Sequence, residues 1–192
     1  MANKRRPIKT RVMSIVHGQS ELLICSSIKS NLKIKHEIIS KHKGGHSIQV
    51  NGLVNLLQTD TRFRCIEDFA RNFKDIERQK NKLMNFKLFI IMDVDDCEEK
   101  TKERFMSKAL FRNHWLYDYI VPIYNEPKLE KTMEKCKIEV EKKKDYIKIF
   151  PTNKGDLDIK MAQEFSDTLR KCDSTNLEVY IDYCLTLVTK ET

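Results

Sequence analysis

The segment that most restricts the fold is Leu88-Phe89-Ile90-Ile91-Met92, five apolar residues in a row that stop at Asp93. A strand with one wet face alternates apolar and polar residues, whereas a run without alternation is buried on both faces, as in a parallel sheet covered by helices. Asp93, Asp95 and Asp96 follow at once, and residues 99–111 then place Phe105, Met106, Ala109 and Leu110 on one helical face. An acidic loop is therefore expected between a buried strand and a helix.

The same order recurs near the start. Val12-Met13-Ser14-Ile15-Val16 reads as a strand and His17-Gly18-Gln19 as a turn, followed by a helix that buries Leu22, Cys25, Ile28 and Leu32. Ser20 is the expected N-cap, and Glu21 sits in the first turn, where the helix dipole favours an acid. Further strands are expected over residues 34–40, 119–124 and 146–150, with a brief extended piece over 47–50. Pro122 assigns its strand to an edge or irregular position. Helices are expected over 52–57, over 63–76 on the stripe Phe63, Ile66, Phe69, Ala70, Phe73 and Ile76, and from Lys128 on Leu129, Met133, Cys136 and Val140. Two more cover 157–169 and 177–188. This alternation predicts an α/β fold, an open and mainly parallel sheet flanked by helices, with C-terminal helices. At 192 residues and 40% hydrophobic content one domain is expected, a motif-bearing core over about 10–125 and a C-terminal α/β extension over about 126–192.

Composition excludes several classes. No stretch approaches the roughly 18 apolar residues of a membrane span. The charged residues 1–9 lead into no signal-peptide-like apolar run, so a cytoplasmic location is expected. Cys25, Cys65, Cys97, Cys136, Cys172 and Cys184 are dispersed without a CxxC pair, and most are expected as reduced thiols at apolar helix positions rather than in disulfides or a zinc site. The net charge of +8 is concentrated in the first eleven residues, around 33–43 and over 128–148, a distribution that attracts polyanions.

In an open α/β sheet, ligands gather at the carboxyl ends of the strands. Glu21 and the Asp93, Asp95 and Asp96 group both follow such ends. Carboxylates converging without basic partners in the same loops repel one another, and a divalent cation compensates them. Oxygen donors without a Cys or His pair suit Mg²⁺ or Mn²⁺.

These residues resemble the Toprim domain of topoisomerases, bacterial-type primases and several nucleases. That family places a glutamate in a glycine-containing turn after the first strand and a DxD after a later hydrophobic strand, here Gly18-Gln19-Ser20-Glu21 and Asp93-Val94-Asp95. Size and layout look most like the small RloB-like and OLD-type bacterial nucleases of anti-phage defence, whose next loop carries Asn-Pro and then a glutamate. Asn125-Glu126-Pro127-Lys128-Leu129-Glu130 resembles that loop with one residue inserted. The resemblance implies a Mg²⁺-dependent nuclease acting on DNA or RNA. Glu21, Asp93 and Asp95 would be catalytic and would bind metal, with Asp96 supporting and Glu130 a conditional addition. It also implies an ATPase partner or a homo-oligomer. The alternative is a non-catalytic nucleic-acid- or partner-binding subunit of the same fold.

Lys41 and Lys43 beside Gly44-Gly45 are candidate phosphate contacts, and so is His17 beside the Glu21 turn. Asp156-Leu157-Asp158 is a second DxD, read as a helix start. His17, His36, His42 and His46 lack helical i,i+4 or cysteine-linked metal spacing. The Gly18 turn has no Walker lysine and Ser20 no nucleophile elbow, which excludes P-loop ATPase and serine hydrolase chemistry.

Overall fold

In the computed structural model, residues 9–149 and 158–188 are described. Among them are the strands β1 (Val12–Val16), β2 (His36–Ile39), β3 (Arg78–Gln79), β4 (Lys82–Leu83), β5 (Lys87–Asp93) and β6 (Ile120–Asn125). The α-helices are α1 (Gln19–Asn31), α2 (Leu53–Thr59), α3 (Ile66–Asn72), α4 (Glu99–Met106), α5 (Leu129–Lys135), α6 (Ile159–Leu169) and α7 (Leu177–Val188).

β2, β1, β5 and β6 form, in that order, an all-parallel four-stranded sheet, while β3 and β4 make a small antiparallel ribbon. The pleat sends alternate side chains to opposite faces, and both faces are covered. Val12 and Val16 of β1, Phe89 and Ile91 of β5 and Ile123 of β6 pack against Ile24 and Ile28 of α1, Leu129 and Met133 of α5, and the inner faces of α6 and α7. Met13, Ile15, Leu88, Ile90 and Met92 point the other way, onto Leu53 and Leu57 of α2, Phe69 of α3 and Phe105 of α4. The unalternating run of β5 is thus explained by helices on both sides, an open Rossmann-like arrangement. As expected from Pro122, β6 is an edge strand.

Several expected elements are shorter than their apolar spacing suggests. In the stripe from Phe63 to Ile76, Phe63, Phe69 and Ile76 are buried and Ile66, Ala70 and Phe73 half-buried, but only Ile66–Asn72 is helical. Phe63, Phe73, Phe86 and Trp115 gather around Phe69, with ring centres 4.8–6.4 Å from it, and Trp115 Nε1 donates to Phe63 O at 2.6 Å. Tertiary aromatic packing here satisfies the spacing with turns on either side of one short helix. α4 ends at Met106, because Lys108 adopts φ 66°, and residues 109–111 form a separate 3₁₀ turn. α5 ends at Lys135, where Lys137 (φ 57°) lets Ile138 N–H donate to Met133 O at 2.9 Å. With Lys137 N–H donating to Glu134 O at 3.0 Å, that bond completes a Schellman closure.

The strand expected over 146–150 is instead part of a 3₁₀ turn over Lys143–Lys148, with Tyr146 buried beneath α1, and Phe150 lies outside the described residues. The C-terminal extension, expected to be α/β, is therefore helical among the described residues. The extended piece over 47–50 is not a strand either, since Lys41 and His46 form only an isolated bridge and Val50–Gly52 is a 3₁₀ turn. All six cysteines are free, but only Cys25 and Cys184 lie in helices, and the other four sit at caps and loops. Among the described residues no helix is long and apolar enough to cross a membrane.

A titratable polar group is locked inside the sheet beside β1. His36 of β2 bonds Ser14 Oγ of β1 through Nε2 at 2.9 Å, and Tyr180 of α7 lies 3.4 Å from its Nδ1. Burial, aided by the nearby Lys29 charge, pushes the imidazole pKa down to about 3. The unfolded chain binds this proton near pH 6.5 and the folded chain does not, so stability falls as pH drops from about 6.5 toward 3, by about 1.4 kcal/mol per pH unit. His36→Gln should remove that dependence. In urea titrations between pH 4.5 and 7, the gap between variant and wild type should move in the variant's favour as pH falls, and a constant gap would refute this account.

Candidate functional site

β1 leads through α1 to β2 on one side, and β5 leads through α4 to β6 on the other. The chain therefore changes direction between β1 and β5, and the loops at their carboxyl ends part to leave a crevice. A cleft of about 400 Å³ opens there, walled by residues 17–21, by Gly44, Gly45 and Ser47, and by Asp93, Asp95, Lys128, Glu130 and Lys143.

Glu21 enters this cleft because of how α1 begins. Gly18, not Ser20, is the N-cap, and Glu21 is the third helical residue, so its Oε2 reaches back to accept the Gly18 N–H at 2.9 Å. Ser20 is freed from capping and donates its Oγ hydrogen to Glu130 Oε1 at 3.0 Å. Glu21 is only 2% exposed, and its Oε1 is buried without a hydrogen-bond partner.

Asp93 is the last residue of β5. Its Oδ1 accepts from Leu129 N–H at 2.9 Å and from Asn125 Nδ2 at 3.3 Å, while Oδ2 lies 3.9 Å from His17 Nε2. Asn125 is itself held, since its Oδ1 accepts from Thr175 Oγ1 at 3.0 Å and that hydroxyl accepts Leu177 N–H at 3.1 Å. A buried chain of bonds thus runs from Asp93 to the start of α7. It gives Asn125 an orienting role and adds Thr175, to which no motif in the sequence points.

The two acids are themselves buried at the cleft, and their proton affinities reflect it. Burial first, and then the Asp93 charge, lifts Glu21 to about 8. Burial lifts Asp93 to about 6 against the opposing pull of His17. Glu130 behaves differently, because hydrogen bonding from its own backbone, Lys143 and Ser20 outweighs its burial and leaves its pKa lowered. Lys143 Nζ lies 3.2 Å from Glu130 Oε1.

The candidates from sequence are brought together unequally. Glu21, Asp93, Asp95, Glu130 and His17 line the cleft, with Asp95 exposed at its mouth. Asp96 does not line it, and the N-cap of α4 is Glu98, so Asp96 has no capping role. Burial raises its pKa, and neither carboxylate oxygen has a hydrogen-bond partner among the described residues. Lys41 lines a separate groove with Asn55, Asp60 and Arg62, and Lys43 lines neither hollow. The cations at the cleft are Lys128 and Lys143, hidden in the sequence within the lysine-rich 128–148 region. Asp158 caps α6 by accepting Met161 N–H at 2.9 Å, which is the structural role expected of the second DxD, and Asp156 lies outside the described residues.

A fit test for a divalent cation rests on the orphaned Glu21 Oε1 beside Asp93. Two desolvated carboxylates with an unfilled acceptor suit a hard cation. Among the described residues no three His, Cys, Asp or Glu side chains already close into a ligand set. The fit therefore lies in the donor chemistry and in the electrostatic demand.

In the metal-free protein, Glu21 stabilises the fold fully only when protonated. Its folded pKa, about 8, exceeds the unfolded value near 4.5, so that stability is lost as pH rises between the two. Glu21→Gln keeps an acceptor for Gly18 and removes the charge. In chelator, its stability relative to wild type should rise by up to about 1.4 kcal/mol per pH unit from pH 4.5 upward. Thermal melts at pH 4.5, 6 and 7.5 read this directly, and a variant less stable than wild type at pH 7.5 contradicts it. Comparison of the chain with protein-family models, curated proteins and solved structures finds no match.

Proposed function

We propose that the chain is a Toprim-like, Mg²⁺- or Mn²⁺-dependent nuclease that hydrolyses phosphodiester bonds of DNA or RNA in the cleft between β1 and β5. The observation that carries this reading is the pair Glu21 and Asp93, two buried acids in the first turn of the helix after β1 and at the end of the adjacent parallel strand β5, one with an unsatisfied oxygen. Glu21, Asp93 and Asp95 would hold the cation, which when bound supplies Lewis-acid polarisation of a phosphate oxygen and a more acidic water.

The remaining chemistry belongs to the protein. Lys128 and Lys143 border the acids and offer positive charge to a phosphate, consistent with a chain of net charge +8. Glu21 would serve either as a cation ligand or as the proton acceptor, and because burial and the Asp93 charge hold it largely protonated near neutral pH, either role requires the bound cation to draw its proton off. Asn125 and the Leu129 N–H fix Asp93 Oδ1, which leaves Oδ2 for the cleft.

A second reading, a nucleic-acid- or partner-binding subunit without catalysis, is favoured by one observation, that Glu130 is engaged by Lys143 and Ser20.

Incubating the purified chain with single- and double-stranded DNA and RNA separates the two. Cleavage should require Mg²⁺ or Mn²⁺, and Asp93→Ala should lower it by about a hundredfold or more, the scale on which metal sites respond to altered ligation. Thr175→Val should shift the Mg²⁺ midpoint upward by about tenfold through Asn125. Metal-dependent cleavage unaffected by Asp93→Ala refutes the site. Salt-sensitive nucleic-acid binding with neither cleavage nor divalent affinity establishes the binding module instead.

A further inference from the structure

The segment between β2 and α2 brings together two imidazoles that the acidic cleft does not use. The His42 and His46 ring centres are 4.7 Å apart, the rings are inclined at 58°, and both residues are exposed. Their backbone is tightly specified. Lys41 and His46 form an antiparallel bridge, Gly44 N–H donates to Lys41 O and Gly45 N–H to His42 O, each at 3.0 Å.

His42, Lys43 and Gly44 take three consecutive positive φ values, 47°, 55° and 84°. Left-handed backbone is unfavourable for residues that carry a Cβ, and it persists where the surroundings fix it. Here Gly44 is wedged against α1, where any side chain would set its Cβ 2.9 Å from Gln19 Cα. The turn that carries the two histidines is therefore pinned to the helix that carries Glu21.

The spacing of the rings suits a metal. A first-row cation bound 2.0–2.1 Å from one nitrogen of each ring, with an angle of 90–110° between them, sets the ring centres about 4.5–5.2 Å apart. Imidazole nitrogen prefers Zn²⁺, Ni²⁺ or Cu²⁺ to the hard cations that carboxylates hold. We propose that His42 and His46 form a two-imidazole chelate for such a cation, with Zn²⁺ the physiological class, chemically distinct from the carboxylate cleft. Two protein ligands leave the other coordination positions to water, so the site is labile rather than structural. Its placement has a consequence, because Gly44, Gly45 and Ser47 of the same segment form one wall of the acidic cleft. A cation on His42 and His46 would be held by the segment that forms that wall, on residues that do not themselves line the cleft.

The site is tested on chelator-stripped full-length chain, titrated with Zn²⁺ by calorimetry and by NMR of the imidazole signals. In excess Mg²⁺, which would occupy the carboxylate cleft, one equivalent should bind, the His42 and His46 signals should move together, and those of buried His36 should stay. Exposure of both rings means that His42→Ala and His46→Ala leave the core intact. Each should weaken binding by about tenfold to a hundredfold, because the second imidazole binds intramolecularly at high effective concentration. Asp93→Ala should leave Zn²⁺ affinity unchanged, which separates this site from the proposed nuclease centre. Absence of binding, or Zn²⁺ held equally well by both histidine variants, as cysteine thiolates would hold it, overturns the assignment.

Discussion

β5 has a strand on each edge and helices on each face, and the rest of the structure is arranged around satisfying it. Five consecutive side chains, Leu88 to Met92, are at most 1% exposed, and each contributes about 1.5–3 kcal/mol through removal from water. A strand buried on both faces cannot end in a mobile tail, because its last residue leaves the core at a fixed point. That residue is Asp93. The force that stabilises the sheet therefore delivers a carboxylate, in a defined direction, to the carboxyl edge between β1 and β5.

The same packing makes that edge electrostatically costly. Glu21 is carried in by the first turn of α1, a location comfortable for an acid in isolation. Beside Asp93 and out of water it is held largely protonated at neutral pH. A protein under selection for stability alone would place an amide or an apolar residue there. Local geometry and electrostatic demand thus pull in opposite directions at one residue, a conflict that folds tolerate chiefly at functional sites.

The sheet was legible in the sequence because parallel strands buried on both faces leave a mark that does not depend on tertiary detail. β1, β2, β5, β6 and the final helices follow apolar patterning closely. Helix ends were not legible, for an identifiable reason. α1, α4 and α5 are each followed by a lysine with positive φ, Lys33, Lys108 and Lys137, where glycine or asparagine is the usual signal. A lysine in that role looks like any other charged surface residue, so the helices over 99–111 and from Lys128 read too long. In the aromatic segment the contacts of Phe63 and Phe73 with Phe69 are tertiary and imitate helical spacing. At the site, strand ends located Glu21, Asp93 and Asp95, whereas Lys128 and Lys143 reach the cleft from turns that periodicity does not resolve, and Thr175 carries no motif at all.

Thr175 also changes how the C-terminal helices are understood. They could pass for an annex, covering one face of the sheet. Yet Thr175 precedes α7, bonds Asn125, and through it orients Asp93, while Asn176 Oδ1 accepts Tyr124 N–H and its Nδ2 donates to Pro122 O. Two successive residues of the α6–α7 connection thus hold edge strand β6, on which the hydrogen bonding of Asp93 depends. An edge strand is paired on one side only, and Pro122 withdraws one backbone donor from β6, and it is this strand that these residues brace. The acid at the end of the central strand is consequently fixed from both directions, by the core behind it and by the C-terminal helices beside it.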